Sequence, residues 1–285
     1  MPDSPQFPRT APDAAPVQSG EVDVKRPSAA RAYDYYLGGS SNFGVDREFG
    51  ARVLEQVPFV RTFAVTNRSF LRRAVRWLCE QGVDQFLDIG SGIPTVGNVH
   101  EVAQQANPRA RTVYVDHEPV AVRHAAAILD SADPDRTRTD VLQADLRDPD
   151  GILGSPVTRS LIDFSRPVGL LIVATMHFIG PGDRPVELMA RYRDALPSGS
   201  FLAMSHLTVD GVTAEMLEQG RILEQLYANT PNPGYFRDRA EFAALLDGYE
   251  LVEPGLVWVP EWRPDQQESI EPAASATLAA VGRKP

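Results

Sequence analysis

From Gln85 onward the chain alternates short apolar runs with amphipathic stretches, and this alternation limits its fold more than any other feature. "QFLD" (Gln85–Asp88) is followed by a helical pattern over Val96–Ala106. "RTVYVD" is followed by "PVAVRHAAAILDSA", and "TDVLQAD" by a helical stretch around Asp148–Asp163. "PVGLLIVAT" (Pro167–Thr175) contains almost no polar residue, as in a strand covered on both faces. "PVELMARYRDAL" then predicts a helix and "GSFLAMSHL" a strand. Repeated strand–helix units require a mostly parallel sheet with helices on both sides, so the expected class is α/β. Helical patterns at Ala214–Tyr227 and Asp238–Leu246 precede closing strands at "YELVEP", "LVWVPEW" and "ATLAAVGRK".

Upstream, the first residues are rich in Pro, Ala, Asp and Ser, with neither a basic start nor an apolar stretch. They are expected to be a disordered tail over 1–26 rather than a secretory signal. Residues 27–83 are expected to form a helical extension, with an amphipathic helix over Phe70–Glu80, and residues 84–285 the sheet domain. The single cysteine, Cys79, excludes an internal disulfide and a cysteine-built zinc site, and core packing is its expected role. No His/Cys/Asp cluster has metal-ligand spacing. The longest apolar run, Val168–Met176, falls far short of the ~20 residues a spanning helix needs. A cytoplasmic location follows as an expectation. The net charge of −10 argues against a nucleic-acid partner and suits a small ligand.

The turn "DIGSGIPT" places Gly90, Ser91 and Gly92 directly after the first strand, where open α/β sheets bind ligands. Glycines there let the backbone approach a ligand closely. A dinucleotide fingerprint would carry a third glycine where Thr95 stands, and no phosphate-loop ending follows. Asp88 closes the first strand, Asp116 the second and Asp145 the third. A carboxylate at Asp88 suits an ammonium or hydroxyl better than a pyrophosphate. Asp116 is positioned to accept ribose hydroxyls. Asp145 is a candidate partner for an adenine amine, with the Leu146 N–H donating to the ring. The implied ligand is an adenosine without phosphate that carries a cation, which fits S-adenosylmethionine. Each acid taken singly also reads as a capping or surface carboxylate.

The pattern Asp-x-Gly-x-Gly-x-Pro, then Val-Asp, then Ala-Asp-Leu resembles the motifs of class I methyltransferases. "YDYYLGGSSNF", "NRSFLRRAVRWL", "FLDIGSGIPTVGNVHEVAQ", "VYVDHEPV", "QADLRDP" and "LVWVPEW" resemble one family of S-adenosylmethionine-dependent methyltransferases, formerly described only as a domain of unknown function. The resemblance runs from about Pro27 to the end. It implies a Rossmann-like, doubly wound sheet of seven strands, the last antiparallel, with an N-terminal helical extension. It also implies a cofactor site formed by Tyr36, Gly39, Asn42, Asp88, Gly90, Ser91, Gly92, Asp116, His117, Ala144, Asp145, Leu146 and Ala174. No acceptor is implied, because the family's name rests on its cofactor motifs; a small-molecule acceptor is the expectation.

The aromatic cluster Tyr33, Tyr35 and Tyr36 reads either as packing or as a lid hinged at Gly38–Gly39. In the resembling fold, "VATMHF" ends the fourth strand facing the reacting methyl. His177 is there the candidate acid–base residue, with a structural histidine as the alternative reading. Two other functions stay open at this point. One is an NAD-dependent oxidoreductase, which Thr95 and Asp88 disfavour. The other is a cofactor-binding protein without transfer chemistry.

Overall fold

The computed structural model describes residues 23–94, 97–265 and 270–285. Residues 1–22 of the expected tail, and Thr95 and Val96 of the glycine turn, lie outside the described residues.

The described residues open with three helices, α1 (Ala29–Tyr36), α2 (Gly44–Gln56) and α3 (Phe59–Glu80). Helix α3 begins at Phe59 rather than Phe70, directly after Pro58, and serves two layers. Its first turns put Phe59, Val60 and Phe63 into a cluster with α1 and α2, while Phe70, Ala74 and Leu78 pack under the sheet.

The alternating region then unfolds as the sequence predicts: β1 (Gln85–Ile89), α4 (Val99–Ala106), β2 (Arg111–Asp116), α5 (Pro119–Ala132) and β3 (Thr139–Gln143). Helix α4 starts three residues later than the pattern suggests. The Glu101 carboxylate accepts the N–H groups of Gly97 and Asn98, both at 2.9 Å, and so terminates the helix there. The single helix expected near Asp148–Asp163 is two, α6 (Pro149–Gly154) and α7 (Pro156–Leu161). Ser155 is extended between them, because Pro156 disfavours a helical residue before it. The remaining elements are β4 (Gly169–Val173), α8 (Pro185–Ala195), β5 (Phe201–Leu207), α9 (Ala214–Ala228), α10 (Arg239–Ala244), β6 (Glu250–Leu251), β7 (Val257–Trp258) and β8 (Thr277–Arg283).

The sheet order is β3-β2-β1-β4-β5-β8-β6, parallel from β3 to β5, with β8 antiparallel to β5. Eight strands replace the expected seven because the edge beyond β8 is interrupted. β6 pairs with one end of β8 and β7 with the other, and Pro254 and Gly255 separate them. Proline has no N–H to donate to a ladder.

Side chains alternate between the two faces of the sheet. Leu87, Val113, Leu170, Ile172 and Met204 pack with Leu188, Met189 and Tyr192 of α8. Phe86, Tyr114, Leu171 and Ala203 pack with α3 and with Trp262, which the resembling "LVWVPEW" segment supplies. Arg73 of α3 holds that segment, donating to the Trp262 carbonyl at 2.9 Å and the Val259 carbonyl at 2.8 Å. A third cluster lies over the ends of the strands. There Ala32, Tyr36, Phe49 and Phe63 meet Leu207, Leu223 and Tyr227.

One buried guanidinium ties these helices to the sheet. Arg31 donates to Asp46 of α2 at 2.7 Å and to Glu118, after β2, at 3.1 Å. Breaking a buried pair of this kind costs about 3–5 kcal/mol.

Candidate active site

Strand order reverses between β1 and β4, so a crevice opens at their C-terminal ends. The glycine turn fills its floor. Gly90 (φ +74°) and Gly92 (φ +65°) are both left-handed. A Cβ on Gly90 would collide with the Thr175 side chain, whereas one on Gly92 would meet nothing within 4 Å among the described residues. The N–H groups of Gly90 and Ser91 donate to the Val115 carbonyl at 2.8 and 3.1 Å, which locks the turn to β2. Asp116 completes that lock. One of its oxygens accepts the Gly92 N–H and the other the Glu118 N–H, each at 2.8 Å. Burial pushes its carboxyl above the ordinary range despite these two donors. Asp88 is also buried beside it. Burial raises its pKa to about 7, Asp116 adds to the rise, and the Arg68 guanidinium opposes it.

Beyond β4 the backbone turns sharply at Ala174 (φ +57°), a left-handed conformation that costs a non-glycine residue on the order of 1–3 kcal/mol. A chain of hydrogen bonds holds it. The Ala174 N–H donates to Ser205 Oγ at 2.9 Å, and the Ser205 hydroxyl donates to Asn67 Oδ1 at 2.5 Å. The Asn67 amide donates to the Tyr33 hydroxyl, which donates to the Ala64 carbonyl, both at 3.1 Å.

The next residues, Met176–Phe178, form a single 3₁₀ turn that carries His177. Arg237 grips this turn by donating to the carbonyls of Met176 (2.9 Å) and Ile179 (2.6 Å). A third Arg237 contact, 2.6 Å, reaches His206 Nε2, while His206 Nδ1 lies 2.7 Å from the Leu207 carbonyl. His206 is therefore neutral and fully used, and burial and Arg237 depress its pKa to about 3. The His177 ring is buried between Phe63, Phe178 and His206, with ring centroids 6.0, 4.4 and 5.8 Å away. Its Nδ1 is buried and has no hydrogen-bond partner among the described residues. Burial first, then His206 and Arg237, push the imidazolium well below its ordinary range. An imidazole titrating near neutrality, as the sequence suggests, is not what this environment provides.

Many of these residues border one cavity. At one end it is lined by Arg68, Asp88, Gly90, Ser91, Gly92, Asp116 and His117. At the other end stand Phe63, His177, Phe178, Leu223, Tyr227 and Phe236, with Tyr36 and Ala174 also on the wall. The hydroxyls of Tyr36 and Tyr227 are 2.8 Å apart, one donating to the other.

The sequence profile of a family described as S-adenosyl methyltransferase matches residues 15–285. The chain belongs to this family. The methyltransferase is similar to a crystal structure of a candidate methyltransferase from Thermobifida fusca YX, with 39% identity and a TM-score of 0.84 over 92% of this chain and 96% of that one. It is equally similar to a DUF574 family protein from Streptomyces avermitilis MA-4680, with 39% identity and a TM-score of 0.85 over 92% and 99% of the two chains. No curated protein sequence matches it. Its cofactor is S-adenosylmethionine, and its reaction is methyl transfer.

The site of the methyltransferase fits a nucleoside. The open space over Gly92 is room that a side chain would fill, and each Asp116 oxygen keeps a lone pair beyond its backbone donor. Five of the residues implied by the resemblance stand elsewhere. Asn42 donates to Asp34 Oδ2 (2.8 Å) and to the Gly39 carbonyl (2.9 Å), and a Cβ on Gly39 would strike the Asp34 carboxylate. The Gly38–Gly39 stretch is thus a loop fastened to α1 rather than a free hinge. Asp145 is half-exposed and paired with Arg147 at 2.6 Å, and the Arg147 hydrogen bond holds its carboxyl below the ordinary range. Leu146 is buried, its carbonyl accepting from the Tyr192 hydroxyl at 2.7 Å, and Ala144 packs against that same core. Neither Asp145 nor these neighbours line the cavity.

Sequence reasoning missed Arg68, Tyr227, Arg237 and Glu224. Tyr227 and Arg237 meet partners 191 and 61 residues away, pairings that no local pattern announces. Asn67 and Arg68 stand in the quoted "NRSFLRR" motif, whose polar start had no assigned role.

Among the described residues no helix is long and apolar enough to cross a membrane, and no group of three or more His, Cys, Asp or Glu is placed to hold a metal.

Proposed function

We propose that this methyltransferase acts on a small-molecule acceptor held inside the protein, with the cofactor at the acidic end of the cavity and the acceptor at the aromatic end. One observation carries the reading: both ends belong to a single cavity, roofed by α1 and α3 and floored by the strand ends. The cofactor supplies an electrophilic methyl group on a sulfonium. Asp116 accepts the ribose hydroxyls, the glycine turn lies along the nucleoside, and Asp88 faces the cationic amino-acid portion. His117, half-exposed and 3.7 Å from Asp116, borders the base. Residues 27–83 act as a cover built onto the cofactor domain of residues 84–285. Tyr33 and Tyr36 of that cover line the cavity. The catalytic contribution of the chain is placement and exclusion of water. Titration calorimetry with S-adenosylhomocysteine, S-adenosylmethionine and NAD tests the assignment. The two sulfur nucleosides should bind and NAD should not; binding of NAD alone would overturn it.

A further inference from the structure

The aromatic end of the cavity has a definite chemistry. Its walls are rings and aliphatic side chains from α3, α9 and the Tyr235–Phe236 segment. Tyr36 and Tyr227 direct their hydroxyls at each other and so present ring surface. Arg237, the nearby cation, is spent on two carbonyls and His206. Among the described residues Glu224 is the one carboxylate on this part of the wall, and its Oε1 accepts the Phe236 N–H at 3.3 Å. An anion would find no counter-charge here, and a desolvated charge without a partner is strongly disfavoured. Flat rings gain from edge and face contacts with such walls.

His177 supplies the polar feature. Its Nδ1 is sealed from the cavity and has no partner, so Nε2 is the nitrogen left to meet a ligand. A buried lone pair without a partner is tolerated better than a buried N–H without one. The neutral ring therefore carries its proton on Nε2, where it is a donor. Neither nitrogen is then free to take a proton from an acceptor: Nδ1 is closed off and Nε2 is already protonated. Arg237 fixes the backbone on both sides of the ring, and the His177 carbonyl accepts the Tyr235 N–H at 2.7 Å.

We propose that this end of the cavity seats a flat, ring-bearing acceptor without negative charge, with a carbonyl-type oxygen near its nucleophile, and that His177 holds this oxygen as a neutral hydrogen-bond donor. His177 is then a positioning residue and takes no proton from the nucleophile. The inference rests on the function proposed above.

The test uses full-length protein saturated with S-adenosylhomocysteine, whose own binding is measured first by calorimetry. Failure at that step would refute the cofactor assignment, not the acceptor chemistry. Three bicyclic probes follow: 1-tetralone, tetralin and 2-naphthoate. Tetralone should bind about fivefold or more tighter than tetralin, and at least about tenfold tighter than 2-naphthoate. In His177→Phe the preference for tetralone over tetralin should disappear while tetralin affinity is kept, which a purely structural role for His177 would not produce. In wild type, ¹⁵N-histidine spectra should show the Nε2–H tautomer of His177 from pH 6 to 8, a readout independent of whether the variant folds. Equal or tighter binding of 2-naphthoate, no binding of tetralone, a preference that survives in His177→Phe, or an imidazolium signal in that pH range would each overturn the proposal.

Discussion

The Gly92 amide donates to Asp116 Oδ2 across 2.8 Å, so the turn after β1 and the acid after β2 are one unit. The other Asp116 oxygen takes the Glu118 N–H. The carboxylate thus orders the loop and faces the cavity at once, and substitutions there should report on both roles.

Asp116→Ala removes an acceptor for two backbone amides and the proposed ribose contacts. Hydrogen bonds to a charged group contribute roughly 1.5–3 kcal/mol. S-adenosylhomocysteine affinity should fall at least about tenfold by calorimetry. Asp116→Asn keeps one oxygen and should lose less. Asp145→Ala, whose side chain is spent on Arg147, should change affinity by less than about twofold. An Asp145 effect larger than the Asp116 effect would reverse the assignment.

The two glycines should behave differently. Gly90→Ala combines a left-handed backbone with a collision against Thr175 and should destabilise by on the order of 3 kcal/mol. Gly92→Ala meets only the backbone penalty, about 1–2 kcal/mol. Its methyl should instead occupy ligand space, so its affinity loss should exceed its loss of stability. Urea unfolding with and without S-adenosylhomocysteine separates the two quantities.

Asp88 gives a pH dependence of definite sign. Burial lifts its pKa from 3.8 to about 7, so between these values the folded state binds a proton that the unfolded chain has released. The stability gained from that proton is complete below the unfolded value and is lost as the pH rises through about 7. The span is on the order of 4 kcal/mol. Asp88→Asn should therefore gain on wild type as the pH is raised from 5 to 8, measured as the difference in melting temperature. If the ligand ammonium faces Asp88, binding at pH 6.5 should release a proton in wild type and none in Asp88→Asn. Calorimetry in buffers of different ionisation enthalpy measures it.

Arg237→Met leaves two buried carbonyls and His206 Nε2 without a donor, each costing about 1–3 kcal/mol. The melting temperature should drop by several degrees. S-adenosylhomocysteine affinity should change little, because Arg237 touches only the acceptor side. Equal loss of both would mean that the 176–179 turn supports the cofactor end as well.

Strands such as β4 were legible because a parallel strand covered on both faces is apolar along its whole length, as "VGLLIV" is. The glycine turn with Asp88 and Asp116 was legible for a related reason: neighbouring strand ends come together whatever the loops do. Asp145 shows the limit of that logic. It follows a strand end too, but Arg147 lies two residues on, and a bidentate partner so close outcompetes the cavity. His177 shows another. Its position after β4 could be read from the sequence, but not its protonation, which depends on His206 and Arg237 arriving from later segments. The broken edge strand was hidden because "YELVEP" and "LVWVPEW" look like two strands and give no sign that they share one side of β8.

The relay from Ala64 through Tyr33, Asn67 and Ser205 ends on a backbone amide, and that makes Ala174 a built-in gauge of whether the N-terminal helices are seated. Its amide hydrogen lies just past β4, yet its last partner is oriented from α1 and α3. In deuterated solvent that one hydrogen should exchange at the pace at which the helices lift away, not at the pace at which the sheet opens. A ligand that clamps the roof would slow it, and a ligand touching only the floor would not.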